Sequence, residues 1–315
     1  MQNKAEKIVL LGTGGTIAGT SAQAGDNVGY TAGQLSVGHL IAAVPALGHV
    51  PLEAEQVAQL DSKDMSHAVW QALAQRVAAH LARPDVAGVV ITHGTDTLEE
   101  TAWFLHRALA PQKPVVLTCA MRPASSLQPD GPQNLLDAVT VAQSAVAQGV
   151  LCVAQGQVLA AEDVRKVHGY RIDAFSAGDA GPVARVEEGQ LIALRPWPQA
   201  QALGLAAIAQ DVAQWPRVGL VCSHAGAEPW AVEAAVAAGL QGLVVEGTGN
   251  GTVHHGLEAA LHKAQSAGLR VLRASRCVAG GVVGAPTGAL PSAGGLTPAK
   301  ARVELLLQLL AKAST

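Results

Sequence analysis

Residues 7–19 read Lys-Ile-Val-Leu-Leu-Gly-Thr-Gly-Gly-Thr-Ile-Ala-Gly. The run Lys7–Leu11 is short, apolar and closed by glycine, which predicts a buried strand rather than a helix. A segment rich in glycine and hydroxyls, Gly12–Gly19, follows at the strand's carboxyl end. Flexible backbone there can turn its amides towards an oxyanion and a threonine towards an electrophile.

The same kind of run recurs along the chain. Val86–Ile91, Val115–Thr118 and Val150–Val153 read as buried strands, and Ser66–Leu81, Leu98–Ala110 and Asn134–Gln148 as the helices between them. Such alternation predicts crossover units and a parallel sheet covered on both faces. After Leu194 the pattern lapses into Arg-Pro-Trp-Pro and resumes at Arg217. Val218–Cys222, Gly242–Val245 and Arg270–Arg273 then give a second, smaller set of strands. Pro229–Ala238, Leu257–Ala267 and Pro298–Leu310 read as its helices, the last with Thr297 as N-cap. The fold expected is α/β: a larger N-terminal domain (1–193) with a mostly parallel sheet flanked by helices, a linker (194–216) and a smaller C-terminal α/β domain (217–315).

Composition narrows the function. The 315 residues are 49% hydrophobic and 14% charged, with a net charge of −3, so disorder is excluded and no basic field exists for nucleic acid or anionic membrane. No apolar stretch approaches the roughly 20 residues of a spanning helix. Cys119, Cys152, Cys222 and Cys277 are widely spaced, which predicts four buried, reduced thiols. The residues before Ile8, Met-Gln-Asn-Lys-Ala-Glu-Lys, have no apolar core of a leader, so a cytoplasmic chain is expected. Eleven histidines show no HExxH spacing and the cysteines no CxxC, so no metal is expected.

Two loops carry the polar groups that chemistry needs. A dinucleotide fingerprint started at Gly12 requires Gly or Ala where Ile17 stands, and no Gly-Lys-Ser/Thr follows, which weakens a nucleotide-dependent oxidoreductase. The second loop is Thr92-His93-Gly94-Thr95-Asp96-Thr97. Thr97-Leu98-Glu99-Glu100 reads as a capping box, leaving Thr95 and Asp96 unexplained. A carboxylate there suits a cationic ammonium, and a hydroxyl can orient water.

Thr-Gly-Gly-Thr-Ile-Ala-Gly at 13–19 and Ile-Thr-His-Gly-Thr-Asp-Thr-Leu-Glu-Glu-Thr-Ala at 91–102 together resemble the bacterial-type L-asparaginase and glutaminase-asparaginase family. Asp61–Met65, Ala120–Pro123, Asp130–Leu135, Gly247–Gly251 and Lys300–Arg302 extend the resemblance over nearly the whole chain. It implies Thr16 as nucleophile and Tyr30 as its partner on a mobile loop. It also implies Ser62 at the substrate carboxylate, and a second triad of Thr95, Asp96 and Lys166. Gly15, Lys63, Ala120 and Asn250 complete the implied substrate contacts. The implied reaction is hydrolysis of asparagine, with minor glutaminase activity, through a covalent β-aspartyl-threonine, in a homotetramer of intimate dimers with no cofactor.

A threonine hydroxyl needs a proton acceptor within about 2.6–3.2 Å. Residue types alone leave that acceptor open between Tyr30 and a Thr95–Lys166 route. Two departures stand out. Residues 277–299 hold no Asp or Glu, where many members place an acidic residue near a neighbouring subunit's substrate, and Thr252 replaces the second asparagine of Gly-Asn-Gly-Asn. Weaker ammonium anchoring and a raised KM are expected. Lys63, beside the carboxylate site, would bias against larger substrates. The alternative from another class is a non-catalytic amino-acid sensor on the same fold, keeping Asp96 and Ser62.

Overall fold

In the computed structural model of the chain, residues 6–23, 25–284 and 287–313 are described. Residues 1–5, on which the leader reading rests, lie outside them. The chain divides into two compact units, Met1–Ala202 and Leu203–Thr315.

Among the described residues the first unit is built on ten strands: β1 (Lys7–Gly14), β2 (Leu52–Leu60), β3 (Val86–Thr92), β4 (Val115–Thr118), β5 (Val150–Ala154), β6 (Gln157–Ala160), β7 (Arg165–Lys166), β8 (Phe175–Ser176), β9 (Ala184–Glu187) and β10 (Gln190–Ala193). Eight of them form one sheet in the order β10-β9-β6-β5-β4-β3-β1-β2, and β7 pairs with β8 as a separate antiparallel ribbon. Strands β2 to β5 and β1 run parallel, while β6, β9 and β10 add an antiparallel edge. Its helices are α1 (Val37–Ala42), α2 (His67–Leu81), α3 (Leu98–Leu109) and α4 (Gly131–Ala142).

Period-two alternation sends neighbouring strand residues to opposite faces. Ile8, Leu10, Val90, Val116 and Leu151 form one core with Val37 and Leu40 of α1 and Leu135, Ala138 and Val139 of α4. Val9, Leu11, Val89 and Ile91 point the other way and are equally buried. On that face α2 and α3 meet, with the Trp70 ring stacked 5.0 Å from that of Phe104. Full burial of each such side chain stabilises by about 1.5–3 kcal/mol, which is why the middle of each of these strands is apolar and Lys7, Thr13, Thr92 and Thr118 stand towards the ends.

Several expectations need correction. The predicted helix 134–148 is α4, which starts earlier, with Pro132 in its first turn, and ends at Ala142. It stops there because Ser144 Oγ accepts the N–H groups of Val146 and Ala147 and bends the chain away. Strand β1 runs on to Gly14, because Gly12 and Gly14 still pair with Gln56 and Leu60 of β2. Of the four thiols, Cys119 and Cys152 are buried, but Cys222 and Cys277 are exposed.

The second unit has a parallel sheet β11-β12-β13 (Val218–Cys222, Gly242–Gly247, Arg270–Ser275). Helices α5 (Trp230–Ala237) and α6 (His255–Ser266) pack with Leu243, Val245 and Val271 on one face. Helix α7 (Pro298–Ala313) places Ala301 and Leu305 against Val244 and Ala274 on the other. Thr297 caps α7 as expected, its hydroxyl accepting from the Lys300 N–H at 3.2 Å. No described helix is long and apolar enough to cross a membrane.

Candidate active site

Strand order reverses at β1: β2 lies on one side of it and β3 on the other. The crossovers leaving β1 and β3 therefore diverge, and a crevice opens at the carboxyl ends of those two strands. Both polar loops singled out from the sequence start there.

Beyond β1 the backbone enters the left-handed region at Gly14 (φ 100°) and Gly15 (φ 82°). Glycine is needed at position 15 for a second reason. A Cβ on it would lie 2.3 Å from the Cα and from the nitrogen of Gly94. A Cβ on Gly94 in turn would lie 2.4 Å from Ser62 Oγ. The β1 loop, the β3 loop and the Ser62 turn thus close on one another through missing side chains. Thr16 and Thr95, each the next residue after a touching glycine, are brought to one place.

Thr16 opens a short 3-10 turn, Thr16–Ala18, and is 7% exposed. Its Oγ1 lies 2.7 Å from the Tyr30 hydroxyl, within proton-transfer reach. The loop carrying Tyr30 is tied down at its root by Thr20 and Thr31, which exchange two backbone hydrogen bonds. It is also tied to the loop after β4: Ser21 N–H donates to Ser125 Oγ at 2.8 Å, and Ala124 N–H to the Gly19 carbonyl at 2.9 Å.

The second group is an ion pair bridged by a hydroxyl. Lys166 Nζ, on β7, donates to Thr95 Oγ1 at 2.8 Å and to Asp96 Oδ1 at 2.7 Å. The Lys166 side chain is one-fifth exposed and that of Asp96 half exposed, so the carboxylate keeps an open side. Ser62 is buried, and its Oγ accepts from the Asp96 N–H at 3.1 Å. The Ser62 hydroxyl hydrogen is left to donate elsewhere. Thr97 opens α3, but its hydroxyl makes no capping bond; it donates to the Ser62 carbonyl at 2.8 Å. The capping box read from the sequence does not form, because that hydroxyl holds the Ser62 turn.

His93 is fully buried. Trp70 Nε1 donates to Thr101 Oγ1 at 2.8 Å, so the Thr101 hydrogen points to His93 Nε2 at 2.9 Å, and Nδ1–H meets the Gly94 carbonyl at 2.7 Å. Burial pushes the imidazole down to about 4, partly opposed by the Gly94 bond, so it is neutral at pH 7. This fits packing rather than proton transfer.

Ala120 is buried at the end of β4, and a Cβ on Gly131 would lie 3.4 Å from its own and 2.8 Å from Ile17 Cγ1. Lys63 is exposed, its ammonium held by Asp64 at 2.9 Å and Asp61 at 3.0 Å; these two pull its affinity for the proton further up. Asn250 belongs to the second unit, where Nδ2 donates to the Val283 carbonyl and Oδ1 accepts its N–H, both at 2.7 Å.

Two residues without a role in the sequence reading shape the β4 loop. The Asp130 carboxylate accepts the N–H groups of Met121 and Arg122 at 3.0 Å. Asn134 Nδ2 donates to the Cys119 carbonyl and its Oδ1 accepts the Gln155 N–H. Their signal was an Asp and an Asn four apart at the start of an otherwise apolar helix face. Among the described residues no cluster of His, Cys, Asp and Glu could hold a metal ion.

Comparison with known proteins gives the chain a family. Residues 7–199 match the family described as Asparaginase, N-terminal, and residues 217–315 the Glutaminase/Asparaginase C-terminal domain. A probable periplasmic L-asparaginase of Haemophilus influenzae is 37% identical, over 96% of this chain and 88% of its own length. L-asparaginase 2 of Escherichia coli K12 matches with the same identity and coverage. A crystal structure of a probable cytoplasmic L-asparaginase from Campylobacter jejuni superposes with a TM-score of 0.92 at 35% identity, covering 98% of both chains. With both halves matched in order, the chain belongs to the asparaginase family of amidohydrolases.

Proposed function

We propose that this chain hydrolyses L-asparagine to L-aspartate and ammonia through an ester on Thr16. The observation that carries the reading is the 2.7 Å contact between Thr16 Oγ1 and the Tyr30 hydroxyl. Thr16 Oγ1 forms the bond to the side-chain amide carbon as its proton passes to the Tyr30 oxygen. Tyr30 hands its own hydrogen to the departing nitrogen, the C–N bond breaks and ammonia leaves. Water then adds to the ester carbon along the same path in reverse, returning a proton to Thr16 Oγ1 and releasing the carboxylic acid. A shuttle of this kind keeps the phenol neutral throughout.

Substrate recognition follows from the donor and acceptor inventory. Asp96 offers its open side to the α-ammonium, and Ser62 its hydroxyl hydrogen to the α-carboxylate. Lys166 donates to Thr95 Oγ1 and Thr95 in turn to Asp96 Oδ1 at 3.4 Å, which holds the Thr95 oxygen in place as an acceptor for the incoming water. Glutamine differs by one methylene, worth about 1–3 kcal/mol of discrimination, so minor glutaminase activity belongs to the same proposal. Assembly into a homotetramer is part of it too, supported by Val28 and Leu127, apolar side chains left 76% and 80% exposed on the two loops around Tyr30. So is a cytoplasmic location, which the name of the Campylobacter jejuni protein supports.

The test is ammonia release on mixing with L-asparagine, compared with Thr16→Ala, alongside mass analysis of a rapidly quenched sample. Turnover lost in the variant and an aspartyl adduct on the peptide carrying Thr16 are expected. Binding without ammonia release in the parent chain would return the reading to an amino-acid sensor.

A further inference from the structure

The second unit holds a cavity of about 560 Å³ with an unusual floor. Arg273, on β13, is only 7% exposed. It forms no ion pair among the described residues. Among the described residues its guanidinium is met only by main-chain carbonyls: Nε donates to Leu290 at 2.9 Å, Nη2 to Gly284 at 3.2 Å, and Nη1 to Asn250 and Gly251 at 3.4 Å each. Carbonyl dipoles solvate a cation but leave its charge in place, and a buried charge without a counterion costs stability.

One wall of the cavity is a face of α6 carrying His255, Glu258 and His262, with the spacing that stacks side chains along a helix. None of these three side chains has a hydrogen-bond partner among the described residues. Thr252 and Thr287 line the rest of the rim. The volume lies in the range of small-molecule sites, which combine an apolar wall with a few convergent polar groups.

We propose that this cavity of the second unit is a further ligand site, built from residues other than Thr16, Tyr30, Ser62, Thr95, Asp96 and Lys166, for a free α-amino acid. Arg273 receives the α-carboxylate with its remaining Nη2 hydrogen and supplies the countercharge; Glu258 receives the α-ammonium. His255 and His262 meet a polar side chain. The pairing of one buried cation with one uncommitted carboxylate selects a zwitterion over a simple anion, which Glu258 would repel.

L-aspartate is the probe, titrated calorimetrically into the full-length chain, with Glu258→Gln and His262→Ala as variants. Both positions lie on a helix surface, so the fold survives their change; Arg273→Lys is a third variant, interpreted only where circular dichroism matches the parent. Aspartate binding at this cavity is expected to weaken at least tenfold in Glu258→Gln and His262→Ala, while any binding lost in Asp96→Ala persists in them. If neither cavity variant alters any part of the titration, the proposal is overturned. The two sets of variants separate this outcome from a failure at the Thr16 crevice.

Discussion

Gly15 and Gly94 are in backbone contact, with no room between them for a methyl group. Their contact is what sets Thr16 beside Thr95. Gly15→Ala would place Cβ against backbone at a positive φ, and neither atom can swing aside. Activity should fall by at least 100-fold with a clear drop in Tm. Gly189 has φ 71° with open space around it, so Gly189→Ala should cost only about 1–2 kcal/mol and leave activity intact. Equal losses in the two variants, read by ammonia release and thermal melts, would show that the contact is unimportant.

Tyr30→Phe removes the oxygen beside Thr16 and keeps the ring against Gly19. A fall in kcat of roughly 10²–10⁴-fold is expected, with little change in KM, since the phenol acts on the reacting atoms and not on binding. A variant that raised KM alone would assign Tyr30 to substrate binding.

Asp96→Asn should act mainly on KM. Losing a charged partner for the ammonium costs about 1.5–3 kcal/mol, a rise of roughly 10–100-fold. Lys63→Gln should leave the glutamine-to-asparagine rate ratio unchanged, because that ammonium is occupied by Asp61 and Asp64 in solvent. A shifted ratio would restore the specificity role expected for Lys63 from the sequence.

Stability should depend on His93. Its folded-state pKa of about 4 lies below the ordinary 6.5, so between these values the unfolded chain takes up a proton that the folded one refuses. The contribution is complete above pH 6.5 and is lost as pH falls towards 4, about 3 kcal/mol in all. Urea melts at pH 7 and pH 5 should show this slope for the parent and a flatter one for His93→Gln. Parallel slopes would count against it.

Thiol labelling should divide the cysteines in pairs. Cys277 and Cys222 are exposed, and the Glu246 carboxylate next to Cys222 pushes its thiol up, so Cys277 should react first. Burial pushes Cys119 well up, and it should label only on unfolding, together with Cys152. Four equal rates in the native chain would contradict this.

Much of this was legible because short apolar runs have few alternatives. Val115–Thr118 coincides with β4, since burial on both faces permits no other reading of so short a run, and Val218–Cys222 coincides with β11 although Leu220 and Cys222 there stay exposed. Thr16, Tyr30, Ser62, Thr95, Asp96 and Lys166 were named from loops at strand ends and from family likeness. What stayed hidden depended on partners distant in sequence. Thr97 looked like a cap because Glu100 sits three residues on, and only the folded chain brings the Ser62 carbonyl to its hydroxyl. Asp130 could not be linked to the Met121 and Arg122 amides until the β4 loop had closed. The exposure of Cys222 and Cys277 followed from where β11 and the loop after β13 end, which spacing does not report.

That tie from Thr97 to Ser62 has a kinetic side. A helix start whose hydroxyl is spent on another loop cannot fray without releasing the turn it holds. Amide deuterium uptake in residues 61–65 and in the first turn of α3 should therefore rise together as denaturant is added. In Thr97→Val the two stretches should exchange independently, the turn opening at lower denaturant than the helix.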